Sequence, residues 1–238
     1  MSKLKDKIII ITGAVGNLGS AVAECVRAEG GRMVLVDRSD DRLPQAYGNL
    51  KRKDSHWLAS GVDITDPKAV NDMAAEAYRR FGRIDGLVNS VGGFRGGKPV
   101  HEAELSEWDF LYDINVRTTL NACRAVIPYM LKSQSGRIVN VASRNAFQGS
   151  PNYAAYSATK AMVLRMSESM AGELKARGIN VNCIVPGTID TPQNREAMPK
   201  ADFSTWVPPG DLAKVIVFLL SDDARSVTGT AVPVYGRS

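Results

Sequence analysis

The chain alternates short, wholly apolar runs with longer stretches in which apolar residues recur every three to four positions, the patterns expected of buried strands and amphipathic helices. KIIIIT (7–12) is the first β-branched run. It leads into a glycine-rich turn, ITGAVGNLGS (11–20), and NLGSAVAECVRAEGG then shows helical spacing that stops at Gly30 and Gly31. The alternation continues through RMVLVD (strand), DDRLPQAYGNL (short helix), HWLASGVDI (strand) and TDPKAVNDMAAEAYRRFG, a helix capped by Thr65 or Asp66 with Pro67 in its first turn. IDGLVNSV reads as a strand, and Ser106 as the cap of one long helix reaching Lys132. GRIVNVAS (136–143) is a strand, a helix runs from about Pro151 to Arg177, INVNCIVPG is a strand, and DLAKVIVFLLSDDARSVTGTAVPVYG supplies a last helix and strand. Strands apolar along their whole length are buried on both faces, so the pattern predicts a doubly wound α/β fold with a mostly parallel sheet between helices. Ligands bind such sheets beyond the carboxyl ends of the strands, so the residues that follow each strand are expected to form the site.

At 238 residues the chain is long enough for one large domain, and nothing divides it, so residues 1–238 are read as one unit. With 44% hydrophobic and 23% charged residues it has the composition of an ordinary globular protein. Its longest apolar runs, such as VIVFLL, fall far short of the roughly 20 residues of a membrane helix, and MSKLKDKIIIITG has no signal-peptide apolar region, so a cytoplasmic, non-membrane protein is expected. Cys25, Cys123 and Cys183 are too scattered for a disulfide framework and are read as buried thiols. The formal charge of +5 suits an anionic cofactor or an acidic carrier, but Lys and Arg are interspersed with acids, so no nucleic-acid partner is expected. His56 and His101 share no cluster with cysteine and are read as surface or loop residues, with no metal.

A glycine turn between a first strand and a helix lets backbone N–H groups and the helix N-terminus meet a pyrophosphate, because missing side chains permit close approach. Asp37 ends the second strand, 24 residues after Gly13, where a carboxylate accepts hydrogen bonds from adenosine ribose hydroxyls; this favours NAD(H), while neighbouring Arg38 leaves NADP(H) possible. In SPNYAAYSATKAM (150–162), Tyr156 and Lys160 lie four apart, hence on one helix face about 6 Å from each other. Tyr153 is seven residues before Lys160 and about 10.5 Å away, so only Tyr156 is close enough for strong coupling. An ammonium beside a phenol of pKa about 10 favours the phenolate, which makes the pair a candidate acid/base.

Along essentially its whole length the chain resembles the short-chain dehydrogenase/reductase family. The motifs that carry the likeness are the Thr12-Gly13…Gly19 turn, Asp63 after the third strand, NSVG (89–92), Asn115 in DINV, Ser143 thirteen residues before Tyr156, Lys160, and PGTIDTP (186–192). The resemblance implies a Rossmann fold of about seven strands and a homotetramer, or a homodimer, built on the two long helices. It implies a catalytic group of Asn115, Ser143, Tyr156 and Lys160. Tyr156 would exchange the proton, Ser143 would hydrogen-bond the substrate oxygen, Lys160 would lower the tyrosine pKa and bind the nicotinamide ribose, and Asn115 would hold a relay water. The nicotinamide cofactor would lie on Gly13, Gly16, Asn17, Leu18, Gly19, Asp37, Asp63, Ile64, Asn89, Gly92, Pro186, Gly187, Ile189 and Thr191, with Tyr156 and Lys160 beside it. Position 17 departs from the family's usual glycine. Asparagine tolerates left-handed dihedrals, so the turn is expected to survive with the Asn17 amide near the phosphates or ribose. Val15 stands where NADP-using relatives often carry a basic residue, which agrees with Asp37. NSVG replaces the usual N-N-A-G, which keeps Asn89 and Gly92.

Substrate choice is expected in the loops at 92–107, 144–153 and 188–209, where Phe94, Arg95, Phe147, Met198, Phe203 and Trp206 are candidate pocket residues for a small-molecule substrate. The implied reaction is hydride transfer between nicotinamide and a carbonyl or alcohol. GGFRGG and TIDTPQNREAMPKADFSTW resemble the matching segments of dihydropteridine reductases, so NADH-dependent pterin reduction is an alternative. Reduction of a 3-oxoacyl thioester is another, and an inactive cofactor-binding regulator is a reading from a different class.

Overall fold

The computed structural model describes residues 2–50 and 55–237. Seven strands form one sheet: β1 (Ile8–Thr12), β2 (Arg32–Val36), β3 (His56–Ala59), β4 (Gly86–Asn89), β5 (Gly136–Val141), β6 (Ile179–Pro186) and β7 (Ala231–Val234). Their order is β3-β2-β1-β4-β5-β6-β7, with every pairing parallel. The sheet is therefore wholly, rather than mostly, parallel. The isoleucine run of β1 shows why its strands are apolar throughout: Ile9 and Ile11 enter one core and Ile8 and Ile10 the other. The first core also takes α1 (Asn17–Ala28) and α8 (Pro209–Leu220), and the second takes α3 (Pro67–Phe81) and α5 (Thr118–Ser133). The remaining helices are α2 (Arg42–Tyr47), α4 (Leu105–Leu111), α6 (Ala154–Leu174) and α7 (Pro192–Ala197).

Strand order reverses between β1 and β4, so the two crossovers diverge there and leave a crevice at the carboxyl ends. Asp66, not Thr65, caps α3, its carboxylate accepting from the Lys68 N–H, with Pro67 at the first position. The single helix expected from Ser106 to Lys132 begins at Leu105 after Glu104, which makes no side-chain cap, and is broken by a π-helical segment at Tyr112–Arg117. Apolar periodicity survives such a one-turn bulge, so the pattern did not reveal it. His56 is not a loop residue: its Nδ1 accepts the Met33 N–H at 3.1 Å inside the sheet, and burial lowers its pKa. His101 is exposed beside Glu102. Cys123 and Cys183 are buried and Cys25 half-buried. Among the described residues no helix is long and apolar enough to cross a membrane.

Candidate active site

The glycine turn needs its glycines for different reasons. Gly13 has φ 64°, in the left-handed region, while a Cβ on Gly19 would sit 2.1 Å from the Gly13 carbonyl oxygen. Asn17 needs no left-handed geometry, contrary to the sequence argument: it is the first residue of α1, after an extended Gly16. Its side chain donates from Nδ2 to Gln193 Oε1 at 2.8 Å, linking the turn to α7. No side chain caps α1, which leaves its positive dipole end open to an anion. The turn is anchored by the Tyr47 hydroxyl, which donates to the Ala14 carbonyl at 2.6 Å, and by the Ala14 N–H on Val36.

Asp37 is buried at the end of β2, with one oxygen accepting the Ser39 N–H at 3.0 Å. Asp63 folds onto Thr65, accepting from its N–H and hydroxyl, and these bonds, with exposed Arg38 nearby, hold its carboxyl below the usual range. The backbone at Ile64 and Thr65 is held by the buried amide of Asn121, which donates to both carbonyls at 3.0 and 3.1 Å. Neither Tyr47 nor Asn121 carries a signal in the linear sequence, because each acts through backbone atoms of a distant segment.

Thr12 and Ser90 are clasped at the switch point, the Ser90 hydroxyl and N–H donating to Thr12 O and Oγ1. That clasp accounts for the serine in NSVG. Beneath it, Asn89 donates to Asn140 and Asn140 to Ser167, each at 2.8 Å, a buried polar ladder joining β4, β5 and α6. A Cβ on Gly92 would come within 3.1 Å of Asn115 Oδ1 and 3.2 Å of Lys160 Nζ, so only glycine leaves that space open. Together the uncapped helix, the free Asp37 oxygen and the Gly92 recess fit a dinucleotide.

Ser143 follows β5, and Tyr156 and Lys160 lie in the first turns of α6, which carries them to the same cleft of about 530 Å³. Burial pushes the Tyr156 phenol up and a hydrogen bond with Ser143 pulls it down, the burial effect being larger. The depression expected from Lys160 does not govern the phenol here. The Lys160 ammonium lies 5.9 Å from the Tyr156 ring centre, donates to the Val141 carbonyl at 3.1 Å, and is itself pushed down to about 8 by burial. Asn115 sits in the π-helical segment, its amide paired with both the N–H and the carbonyl of Gly93 at 3.0 and 3.1 Å. The side chain therefore braces backbone rather than reaching into the cleft.

Leu18, Gly92, Pro186, Gly187 and Ile189 also line this cleft. Thr191 does not; its hydroxyl caps α7 by accepting the Asn194 N–H. Of the candidate pocket residues, Phe94 and Met198 line it. Arg95 instead lies over the Phe110 ring at 3.5 Å, Trp206 is buried against Phe203, Phe203 is also covered by Arg195, and Phe147 is exposed outside the lining. Loop aromatics that pack their own loop down are indistinguishable in sequence from those that face a ligand. Tyr153, Arg144, Asn145, Ser150 and Asn194 line the cleft and were not foreseen as pocket residues. Phe94 packs on both Tyr153 and Tyr156, with ring centres 5.3 and 4.9 Å apart. The described residues contain no His, Cys, Asp and Glu cluster suited to a metal ion.

Residues 7–202 match the short chain dehydrogenase family. The chain is 32% identical to the 3-oxoacyl-(acyl-carrier-protein) reductase FabG of Thermotoga maritima, with 98% of each chain covered. It is 31% identical to 2-(S)-hydroxypropyl-CoM dehydrogenase 3 of Xanthobacter autotrophicus, over 99% of this chain and 97% of that one. Among solved structures it superposes on levodione reductase with a TM-score of 0.89 at 31% identity, covering 98% and 97% of the two chains. With fold, motifs and relatives in agreement, the chain belongs to the short chain dehydrogenase family and is an NAD(P)-dependent dehydrogenase/reductase.

Proposed function

We propose that the protein is an NAD(H)-preferring oxidoreductase that interconverts a ketone and a secondary alcohol, with Tyr156 as its acid/base. The observation that carries this reading is the convergence of Ser143, Tyr156 and Lys160 on one cleft that Leu18, at the start of α1 after the glycine turn, also lines. When bound, the nicotinamide supplies or accepts hydride. Gly13, Gly16 and Gly19 admit the pyrophosphate to the α1 N-terminus, helped by Asn17 and Leu18. The free Asp37 oxygen takes a ribose hydroxyl and repels a 2′-phosphate, with Arg38 easing that repulsion in part. Asp63 and Ile64 border the adenine, while Asn89, Gly92, Pro186, Gly187 and Ile189 shape the nicotinamide end and Thr191 acts only through its cap on α7. Ser143 donates to the substrate oxygen as it gains charge, and Tyr156 gives that oxygen its proton in reduction and removes it in oxidation. Lys160 holds the nicotinamide ribose, while the hydrogen bond with Ser143 is what draws the Tyr156 phenol down. Asn115 acts as a positioning residue that fixes the Gly93 backbone.

The test compares NADH with NADPH oxidation on a ketone panel, a 3-oxoacyl thioester and a quinonoid dihydropterin. Ketone reduction is expected, with kcat/KM at least about tenfold higher for NADH, and Tyr156→Phe is expected to lower kcat by about 10²–10⁴-fold. NADPH preference, or a Tyr156→Phe enzyme as fast as the parent, contradicts the reading. Thioester reduction is the second reading, favoured by the Thermotoga maritima relative, and it predicts that the thioester dominates the panel. A dominant pterin rate that survives Ser143→Ala identifies a pterin as the substrate and replaces the ketone reading.

A further inference from the structure

The lining of the cleft is one-sided in charge. It contains Arg144 and Lys160 and no aspartate or glutamate. Lys160 is committed to the reacting end, buried and bonded to the Val141 carbonyl. Arg144 is not committed. It directly follows Ser143, its guanidinium lies 5.8 Å from the Tyr235 ring centre, and among the described residues it makes no ion pair. Nearby Arg195, by contrast, is neutralised by a bidentate pair with Asp190 at 2.6 and 2.7 Å. Arg144 follows β5, two strands along the sheet from β1, whose glycine turn and α1 N-terminus would take the cofactor phosphates. The neutral groups around it offer further hydrogen bonds, with Asn145 donating to Ser150 at 3.3 Å in the same loop. Phe94 and Tyr153 pack on each other in the same lining.

We infer that the substrate is an oxo acid, or the matching hydroxy acid, whose carboxylate pairs with Arg144 while its apolar body packs on Phe94 and Tyr153. A guanidinium presents parallel donors that match a carboxylate; Arg144 is itself exposed, and no aspartate or glutamate of the cleft lining competes for it. The inference rests on the oxidoreductase reading above. In reduction the ketone carbon accepts hydride from the reduced nicotinamide and its oxygen a proton from Tyr156, so the C=O π bond becomes C–O–H and NADH is oxidised to NAD⁺. The carboxylate remains unchanged and orients the ketone toward Ser143 and Tyr156.

The experiment uses aryl-substituted 3-, 4- and 5-oxo acids and their methyl esters, with the parent, Arg144→Met and Arg144→Lys enzymes. The parent is expected to prefer at least one acid over its ester. Arg144→Met should lower the acid-over-ester ratio of kcat/KM by about 10–100-fold, mostly through the KM of the acid, because a hydrogen bond to a charged group is worth about 1.5–3 kcal/mol. Arg144→Lys should restore part of the ratio, since it keeps the charge without the bidentate fork. Esters turned over as well as acids, or a ratio unmoved by Arg144→Met, overturns the inference and leaves the reaction class standing. Turnover confined to thioesters or pterins does the same. If neither nicotinamide cofactor supports reduction of any of these compounds, the reaction class fails together with the inference.

Discussion

Burial of the Lys160 ammonium beneath the cleft pushes its pKa down to about 8, whereas an unfolded chain holds that proton to 10.5. Between those values the unfolded state binds more protons, so the contribution of Lys160 to stability rises with pH across that window and is unfavourable below it. Denaturant melts of the parent and Lys160→Met at pH 7 and pH 10 are expected to move in favour of the parent at the higher pH, by up to about 3 kcal/mol. A difference that stays constant with pH would show that the lysine is not desolvated. Asp37 carries the second prediction at this scale. On the proposed reading Asp37→Ala removes both the ribose acceptor and the charge facing a 2′-phosphate, so the NADH-over-NADPH ratio of kcat/KM is expected to fall by about 10–100-fold, read from initial rates. Spacing identified Tyr156 and Lys160 as a pair on one helix face, and it identified Asp37 at a strand end. It did not identify Tyr47, Asn121 or Arg144, because their roles depend on carbonyls, loops and missing counter-ions that have no sequence spacing.

Each element contributes through where it ends. The α1 N-terminus meets the cleft because β1 stops at Thr12 and the chain turns within the few residues that Gly13 and Gly19 make possible. A Gly19→Ala methyl would meet the Gly13 backbone at 2.1 Å, with no flexible side chain to yield. Its thermal midpoint is expected to fall by several degrees, the consequence of roughly 2–3 kcal/mol of strain. Gly16→Ala, whose methyl would lie 3.2 Å from that carbonyl, should cost less stability and chiefly weaken NADH binding, measured by fluorescence titration. A similar loss in both variants would mean that the turn relaxes freely. The π-helical segment at Tyr112–Arg117 is the element least legible in sequence. Its extra residue per turn places Asn115 against Gly93, and hydrophobic spacing alone does not distinguish it from continuous α-helix.

At the scale of the whole molecule, the cofactor crevice is joined to distant parts of the chain: Asn17 to Gln193, Asn121 to Ile64 and Thr65, and Asn89 through Asn140 to Ser167. A ligand that binds this assembled crevice and not the unfolded chain stabilises all of it. At 100 times its dissociation constant NADH should add about 2.7 kcal/mol, a rise of roughly 5–10 °C in thermal midpoint for a chain of this size. NADPH at the same concentration should raise it less. Equal shifts from both cofactors in a scanning fluorimetry experiment would count against selection by Asp37.

The sequence by itself determined the alternation of strands and helices, the double burial of the sheet and the shared helix face of Tyr156 and Lys160, because periodicity and fixed offsets are local properties. Tertiary structure alone decided that Lys160 is buried with its ammonium on the Val141 carbonyl, that burial outweighs Ser143 in setting the Tyr156 phenol, and that Trp206 packs inward while Arg144 lines the cleft. Desolvation, ion pairing and the choice of which side of a loop faces a cavity depend on atoms far apart in the chain, and no local pattern records them.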